Sequence, residues 1–385
     1  MSKRRPAILA GLDIGTSKTA AVIAQVKNGS PQAVGVGISP TVGLQKGLVI
    51  DTASVAASIR QALEKAEKMA GAKATVAYIA YHSINVLVKD CHLMNAGQRD
   101  HPARPDAMEV PASERLLMIM PPKNRVTLSL PGAEAAARAV TAPSHHIKNI
   151  IESARLAGIA VHDVIYSPQA AVKALLSPFE REFGMLLVDI GDATVTVSIH
   201  DRGLLQETAV IAIGGEHLVS DLAICLHISM IQAGEVLRQY QRPGGNGYAE
   251  HELSRTEGSS GEVTGAFVKS IIEARITEIF HMVDGVVKSF NYPGQLLGGA
   301  VLYGGVAKVD GLTAIAENIL QLKVRIGAPQ AGEQVLGPDL ANAYGLVIYG
   351  SKQSIGPGGT SNRYDEVNVN GKMLRKVYHW LQGKF

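Results

Sequence analysis

The sequence is poor in several things at once: it has two cysteines, one tryptophan and a net charge of only +3 over 385 residues. Cys91 and Cys225 lie far apart and form no Cys-x-x-Cys pair, so neither a disulfide framework nor a zinc site is indicated. Both are expected as core thiols in a reducing compartment. A dedicated nucleic-acid binder shows strong basic excess on one face, so nucleic acid is not an expected partner. No stretch reaches the ~18 uninterrupted apolar residues of a membrane span. The opening "MSKRRPAILAGLDIG" starts like a signal sequence, but its apolar run breaks at Asp13 and Gly15 inside a patterned strand, which predicts a cytoplasmic protein.

What is present is 46% hydrophobic residues, 18% charged residues and 40 glycines, the mix of a folded α/β protein with many tight turns. The length predicts two lobes of roughly 150 residues or more. Residues 7–26 and 31–39 alternate as three strands, and 51–71 reads as a helix with Val55, Ile59, Leu63 and Met69 on one face, Asp51 and Thr52 as caps and Gly71 as its stop. Residues 83–145 break the rhythm and read as an inserted subdomain with strands at "RLLMIMP" and "RVTLSL" and a helix at "GAEAAARAV". His145 and His146 lack a third ligand and read as a helix lead-in. Further helices are predicted near 146–159, 168–177, 215–226, 231–241, 264–290 and 340–353, with a polar Gly-rich excursion before the long one.

The strand, turn and strand of "GLDIGTSKTAAVIA" returns in "LVDIGDATVTVSIH", one copy opening each lobe, and internal duplication is the economical reading. A nucleotide held between two lobes needs backbone amides around its phosphates, carboxylates for hydrated Mg²⁺, and a Gly-rich turn near the base. In the first hairpin Gly15, Thr16 and Ser17 present amides and hydroxyls, Lys18 offsets phosphate charge and Asp13 faces the metal; Asp189 is the matching carboxylate of the second. Each "DIG" alone also reads as an ordinary strand end. Gly214 and Gly215 before a helix, Glu235 on another, and Gly304 and Gly305 after an apolar strand add weight to the nucleotide site.

With these motifs goes a nearly end-to-end resemblance. "GLDIGTSKTAAVIA", "GLQKGLVID", "ALEKAEKMAG", "IGGEHLVSDLA", "LYGGVAKVDGL", "VRIGAP" and "AYGLVIYG" resemble, in order, segments of the FtsA family of bacterial division proteins, within the actin/Hsp70/sugar-kinase superfamily. The resemblance implies an actin-like two-lobed α/β fold of duplicated ribonuclease-H-like domains. The first lobe core is then 1–82 with 146–180, a 1C-type insertion 83–145, shorter than the family's usual version, the second core 181–232 with 296–350, subdomain 2B 233–295, a linker 351–370 and an amphipathic helix 371–385. It also implies ATP with Mg²⁺ held by Asp13, Gly15, Thr16, Ser17, Lys18, Asp189, Gly191, Thr194, Gly214, Gly215, Glu235, Arg238, Gly304 and Gly305, with the metal on Asp13 and Asp189. Arg275 matches an arginine near the family's partner surface, although it also reads as part of a solvated helix face.

Two departures stand out. The family's Asp-Ile-Gly-Gly-Gly-Thr is "DIGDAT" here, so Asp192 either faces phosphate, costing ~4 kcal/mol at an effective dielectric near 20, or turns to solvent and caps a turn. In the superfamily's hydrolases a Glu or Gln near a Pro-x-Ala-Ala segment orients the attacking water; here the segment is "YSPQAAV" and Ser167 takes the acid's place, which predicts slow or negligible hydrolysis.

In the terminal helix Met373, Leu374, Val377, Trp380 and Leu381 share one face, flanked by Lys372, Arg375, Lys376 and His379. Anionic lipid attracts each nearby Lys or Arg by ~1 kcal/mol, so Lys372, Arg375, Lys376 and Lys384 together contribute about 4 before apolar insertion. Packing of this helix on its own domain is the alternative. The expectation is a scaffold at the cytoplasmic face of the inner membrane that binds the FtsZ C-terminal tail, other divisome proteins, anionic lipid and its own copies in filaments. A PilM-like type IV pilus adaptor and a sugar or metabolite kinase are the rival readings.

Overall fold

The computed structural model describes residues 7–27, 30–93, 110–123, 135–241 and 264–352. Three antiparallel strands, β1 (Ala7–Ile14), β2 (Lys18–Lys27) and β3 (Ser30–Pro40), lead through the short β4 (Leu44–Gln45) and β5 (Leu48–Val49) to helix α1 (Thr52–Ala70). The Asp51 carboxylate accepts from Ala53 N at 3.1 Å and Gly71 takes the left-handed conformation at φ 61°, so both helix signals read from the sequence hold. Val55, Ile59 and Leu63 are buried as expected, with Ala62 and Ala66 completing their stripe. Met69 falls off that stripe, is 59% exposed, and its sulfur accepts from Val36 N.

After α1 come β6 (Val76–Tyr81), β7 (Leu87–Leu93), β8 (Glu114–Met120), β9 (Ala135–Pro143), α2 (Ser144–Leu156), β10 (Ala160–Tyr166) and α3 (Ser167–Leu175). The second half repeats the plan with β11 (Met185–Ile190), β12 (Val195–Asp201), β13 (Leu204–Ile211), α4 (Gly215–Leu226), α5 (Met230–Tyr240), α6 (Gly265–Ser289), β14 (Gly299–Tyr303), α7 (Leu312–Leu320) and β15 (Val324–Ile326). The small pair β16 (Gln330–Ala331) and β17 (Gln334–Val335) precedes α8 (Ala341–Lys352).

The duplication is visible in the two five-stranded sheets, β10-β6-β1-β2-β3 and β15-β14-β11-β12-β13. In each, an antiparallel meander is extended by two parallel strands reached through helical crossovers. The first core gathers Leu12, Ile23, Ile59 and Ile79, the second Val188, Val197, Leu222, Phe280 and Leu302. Helix α8 follows the second sheet in sequence yet lies on the first. Gly11 of β1 permits this, because a Cβ there would collide with the Ala343 carbonyl.

Two expectations are corrected. "GAEAAARAV" is not helical where described: β9 is the middle strand of the three-stranded sheet β7-β9-β8. Alanine's helix propensity loses to pairing along both edges. The second correction is Cys225, which is exposed rather than a core thiol; Cys91 is half-buried, and burial, then Asp90, pushes its thiol up to about 11.

The small sheet is fastened to the second half. Arg138 of β9 donates from Nη1 to Glu207 Oε2 at 2.7 Å, from Nε to Pro121 O at 2.8 Å and from Nη2 to Gln206 O. Beside it, the Tyr166 and Thr208 hydroxyls are hydrogen-bonded at 2.7 Å. No single helix among the described residues is long and apolar enough to cross a membrane; α4 and α5 pass only as a pair bent by 113°, and Leu218, Leu222, Val236 and Leu237 on them are core residues. The first two residues of the expected linker, Ser351 and Lys352, instead end α8; the strand expected at "RVTLSL", the excursion before α6, the rest of the linker and the terminal helix lie outside the described residues.

Candidate functional site

The turns of the twin hairpins are built alike. Gly15 N donates to Lys18 O at 3.0 Å and Gly191 N donates to Thr194 O at 3.0 Å. This makes Thr16 and Asp192 equivalent positions. At the head of each turn stands a carboxylate, Asp13 on β1 and Asp189 on β11, and Asn342 of α8 joins them: its Nδ2 donates to Asp13 Oδ2 at 3.3 Å and to Asp189 Oδ2 at 3.0 Å. One amide thus links the base of both halves.

The electrostatics of this floor are unfavourable as it stands. Burial, then the charge of Asp13, pushes the Asp189 carboxyl up to about 6. Asp13 Oδ1 and Asn342 Oδ1 are buried without a hydrogen-bond partner, and His82 Nδ1 stands 3.6 Å from Asp13 Oδ1. Two hard oxygen donors with unsatisfied lone pairs fit a Mg²⁺ ion, which typically takes one or two carboxylates and fills its remaining positions with water and phosphate. Among the described residues no group of three or more His, Cys, Asp or Glu side chains is placed to hold a metal by itself. Tyr303 packs against the same floor and Gly304, at φ 94°, leaves room for Asp189, since a Cβ there would collide with its Oδ1.

The Gly214–Gly215 turn is strapped onto the second hairpin: Gly215 N donates to Gly191 O at 3.0 Å and Glu216 N to Asp192 O at 2.8 Å. Asp192 is not turned fully out to solvent. It is half-buried, and its Oδ1 lies 3.3 Å from where a Gly215 Cβ would be, beside the first turn of α4. Burial, then the charge of Glu216, raises its carboxyl above the usual range. A helix N-terminus is where phosphate is favoured, so Asp192 sits where an anion is drawn.

Lys18 is paired with Asp339, as is Lys308. Thr16 is half-buried, Ser17 exposed and Thr194 buried. Glu235 and Arg238 form an exposed pair at 2.6 Å on α5, and Gln241, just past that helix, donates to Gly305 O at 3.3 Å, drawing α5 over the Gly304–Gly305 turn. Ser167 begins α3 with its hydroxyl buried and unpartnered, and no acid replaces it there. Arg275, near the middle of α6, is held by Asp221 through Nε at 2.6 Å and Nη2 at 2.8 Å, and contacts Glu278. Sequence reasoning missed Asn342, Asp339, Lys308, His82 and Gln241. The amide of Asn342 in an otherwise apolar helix was the one visible signal.

Known proteins share this build. A family model described as cell division protein FtsA matches residues 186–345. FtsA of Pseudomonas aeruginosa is 29% identical with 98% of each chain covered, and FtsA of Bacillus subtilis is 28% identical over 89% of this chain and 83% of its own. Among solved structures, a PilM–PilN type IV pilus biogenesis complex chain aligns at TM-score 0.67, 18% identical, covering 91% of this chain and 99% of that one. MreB5 of Spiroplasma citri bound to ADP aligns at 0.54, 13% identical, covering 89% and 95%. These structures show the fold alone, and the sequence relatives give the rest: the chain is related to the FtsA cell-division proteins and has the actin-like fold.

Proposed function

We propose that the chain is an FtsA-like scaffold that tethers FtsZ filaments to the cytoplasmic face of the bacterial inner membrane at the division site, holding ATP and Mg²⁺ weakly between its lobes. The observation that carries the nucleotide reading is the Asp13–Asn342–Asp189 bridge beneath two equivalent turns. Asp13 and Asp189 would hold the metal, and the amides at Gly15, Thr16, Ser17, Gly191 and Thr194 the phosphates. Gly214, Gly215, Glu235, Arg238, Gly304 and Gly305 would form the walls. A nucleotide bound there would supply a phosphate chain within reach of both turns. With Ser167 in place of an acid at the start of α3, turnover is expected to be slow or negligible. The domain boundaries expected from the sequence, with 83–145 as the 1C-type insertion, belong to the same reading.

The weakness of the site is assigned to Asp192. Equilibrium titration with a fluorescent ATP analogue and Mg²⁺ is expected to show Asp192→Gly binding at least about tenfold more tightly than the native chain, because a half-buried like charge is removed from the phosphate turn. Equal affinities would mean that Asp192 does not limit the site.

Partner contacts rest on exposed features. Phe179 and Leu297, 72% and 73% exposed, and Ile224 and Ile231, 67% and 83% exposed, are apolar side chains open to contact at different places along the chain. Unlike surfaces on one chain suit head-to-tail assembly into an open filament. The FtsZ tail is assigned to the α6 side, where Arg275 takes part as an ion-paired rather than isolated cation. Anchoring is assigned to Lys372, Met373, Leu374, Arg375, Lys376, Val377, Trp380, Leu381 and Lys384, with filament avidity multiplying a weak single anchor. In a cosedimentation assay, deletion of residues 372–385 is expected to abolish binding to anionic liposomes and leave copelleting with FtsZ intact. Liposome binding by the truncated chain would refute the anchor.

A further inference from the structure

Lys18 Nζ and Lys308 Nζ rest on the same oxygen, Asp339 Oδ2, the second at 2.7 Å. The three residues come from three places: the start of β2, the turn after β14 and the single helical turn before α8. The Asp339 side chain is only 3% exposed, whereas Lys18 and Lys308 are 29% and 39% exposed. The backbone fixes the acid from below, since a Cβ on Gly337 would collide with Asp339 Oδ1. Two ammonium groups on one carboxylate leave one positive charge in excess. That excess adjoins the metal floor, for the Lys18 charge acts on both Asp13 and Asp189.

We infer that Lys308 forms, with Lys18, a two-lysine clamp for the phosphate chain of a nucleoside di- or triphosphate, and that Asp339 is the internal anion that holds both lysines until phosphate takes its place. The inference rests on the nucleotide reading above and adds to it a residue, Lys308, and a resting state. A terminal phosphate of a di- or triphosphate carries more charge than a carboxylate and offers several acceptor oxygens, so it satisfies two ammonium groups where Asp339 satisfies them with one shared oxygen. The lysines reach solvent and the acid does not, so phosphate meets the cations first. Phosphate number is then what the clamp reads: a nucleoside without phosphates gains nothing from it.

The test is equilibrium binding of ATP, ADP and adenosine, each with Mg²⁺, to the full-length native chain, Asp339→Asn and Lys308→Gln, with thermal unfolding followed for each. Asp339→Asn is expected to bind ATP and ADP about tenfold more tightly, since a charge-assisted competitor is gone, with adenosine unaffected. Lys308→Gln is expected to weaken ATP by a similar factor and to flatten its dependence on salt. Should the asparagine variant unfold too readily to titrate, Lys308→Gln at its exposed position decides alone. ATP binding that Asp339→Asn leaves unchanged or weakens, or that Lys308→Gln leaves unchanged, overturns the clamp while the nucleotide site stands. Absence of ATP and ADP binding in the native chain, in Asp339→Asn and in Asp192→Gly alike overturns the nucleotide reading and the clamp together.

Discussion

Arg138→Ala is expected to destabilise the chain by about 3–5 kcal/mol, the range for breaking a buried pair by removing one partner. Arg138 and Glu207 are 3% and 6% exposed, so no solvent screens the loss. The alanine would strand the Glu207 carboxylate and leave the Pro121 and Gln206 carbonyls without the donors they now have. A double change, Arg138→Met with Glu207→Leu, is expected to recover most of the stability, because apolar side chains of similar size remove both desolvation costs together. Urea unfolding followed by circular dichroism, with amide exchange over β8 and β9, separates the cases. A single variant within about 1 kcal/mol of the native chain would mean that the ion pair is dispensable.

Asp189→Asn is expected to be more stable than the native chain at pH 7.5, by up to about 3 kcal/mol. Burial and the Asp13 charge raise the folded-state value from 3.8 to about 6, so between those values the folded chain holds a proton that the unfolded chain has lost. Stability therefore falls as pH rises through that window, and above it the full penalty remains. The asparagine variant lacks the penalty and keeps an oxygen to accept from Asn342. Its advantage should vanish below about pH 4. Mg²⁺ should narrow the gap at pH 7.5 by stabilising only the native carboxylate pair. Thermal unfolding at pH 4.5, 5.5 and 7.5, with and without Mg²⁺, measures this, and a variant less stable than the native chain at pH 7.5 would contradict it.

Local chemistry made much of the fold readable. The alternating "GLDIGTSKTAAVIA" and its echo carry strand, turn and strand in fourteen residues each, and Asp51 and Gly71 bracket α1 by capping alone. What escaped depends on distant partners. The alanines around Arg138 favour a helix until β7, β8 and Glu207, 69 residues away, are in place. The chemistry of the site escaped in the same way: Asn342 lies 329 residues from Asp13, and Lys18 lies 321 from Asp339. Carboxylates Asp13 and Asp189 were legible because glycine turns announce them; the residues that join and counter them sit in segments with no turn signal of their own.

The equivalent turns at Gly15 and Gly191 separate scaffolding from response. Each is closed by one backbone hydrogen bond that ignores the side chain following the glycine, so threonine fits the first and aspartate the second with the same geometry. Under the proposed nucleotide reading, exchanging that single residue would retune one half's response, as one changes a key without recutting the lock's housing. The two halves can thus differ in side-chain chemistry while keeping the same strand order and the same turn hydrogen bond.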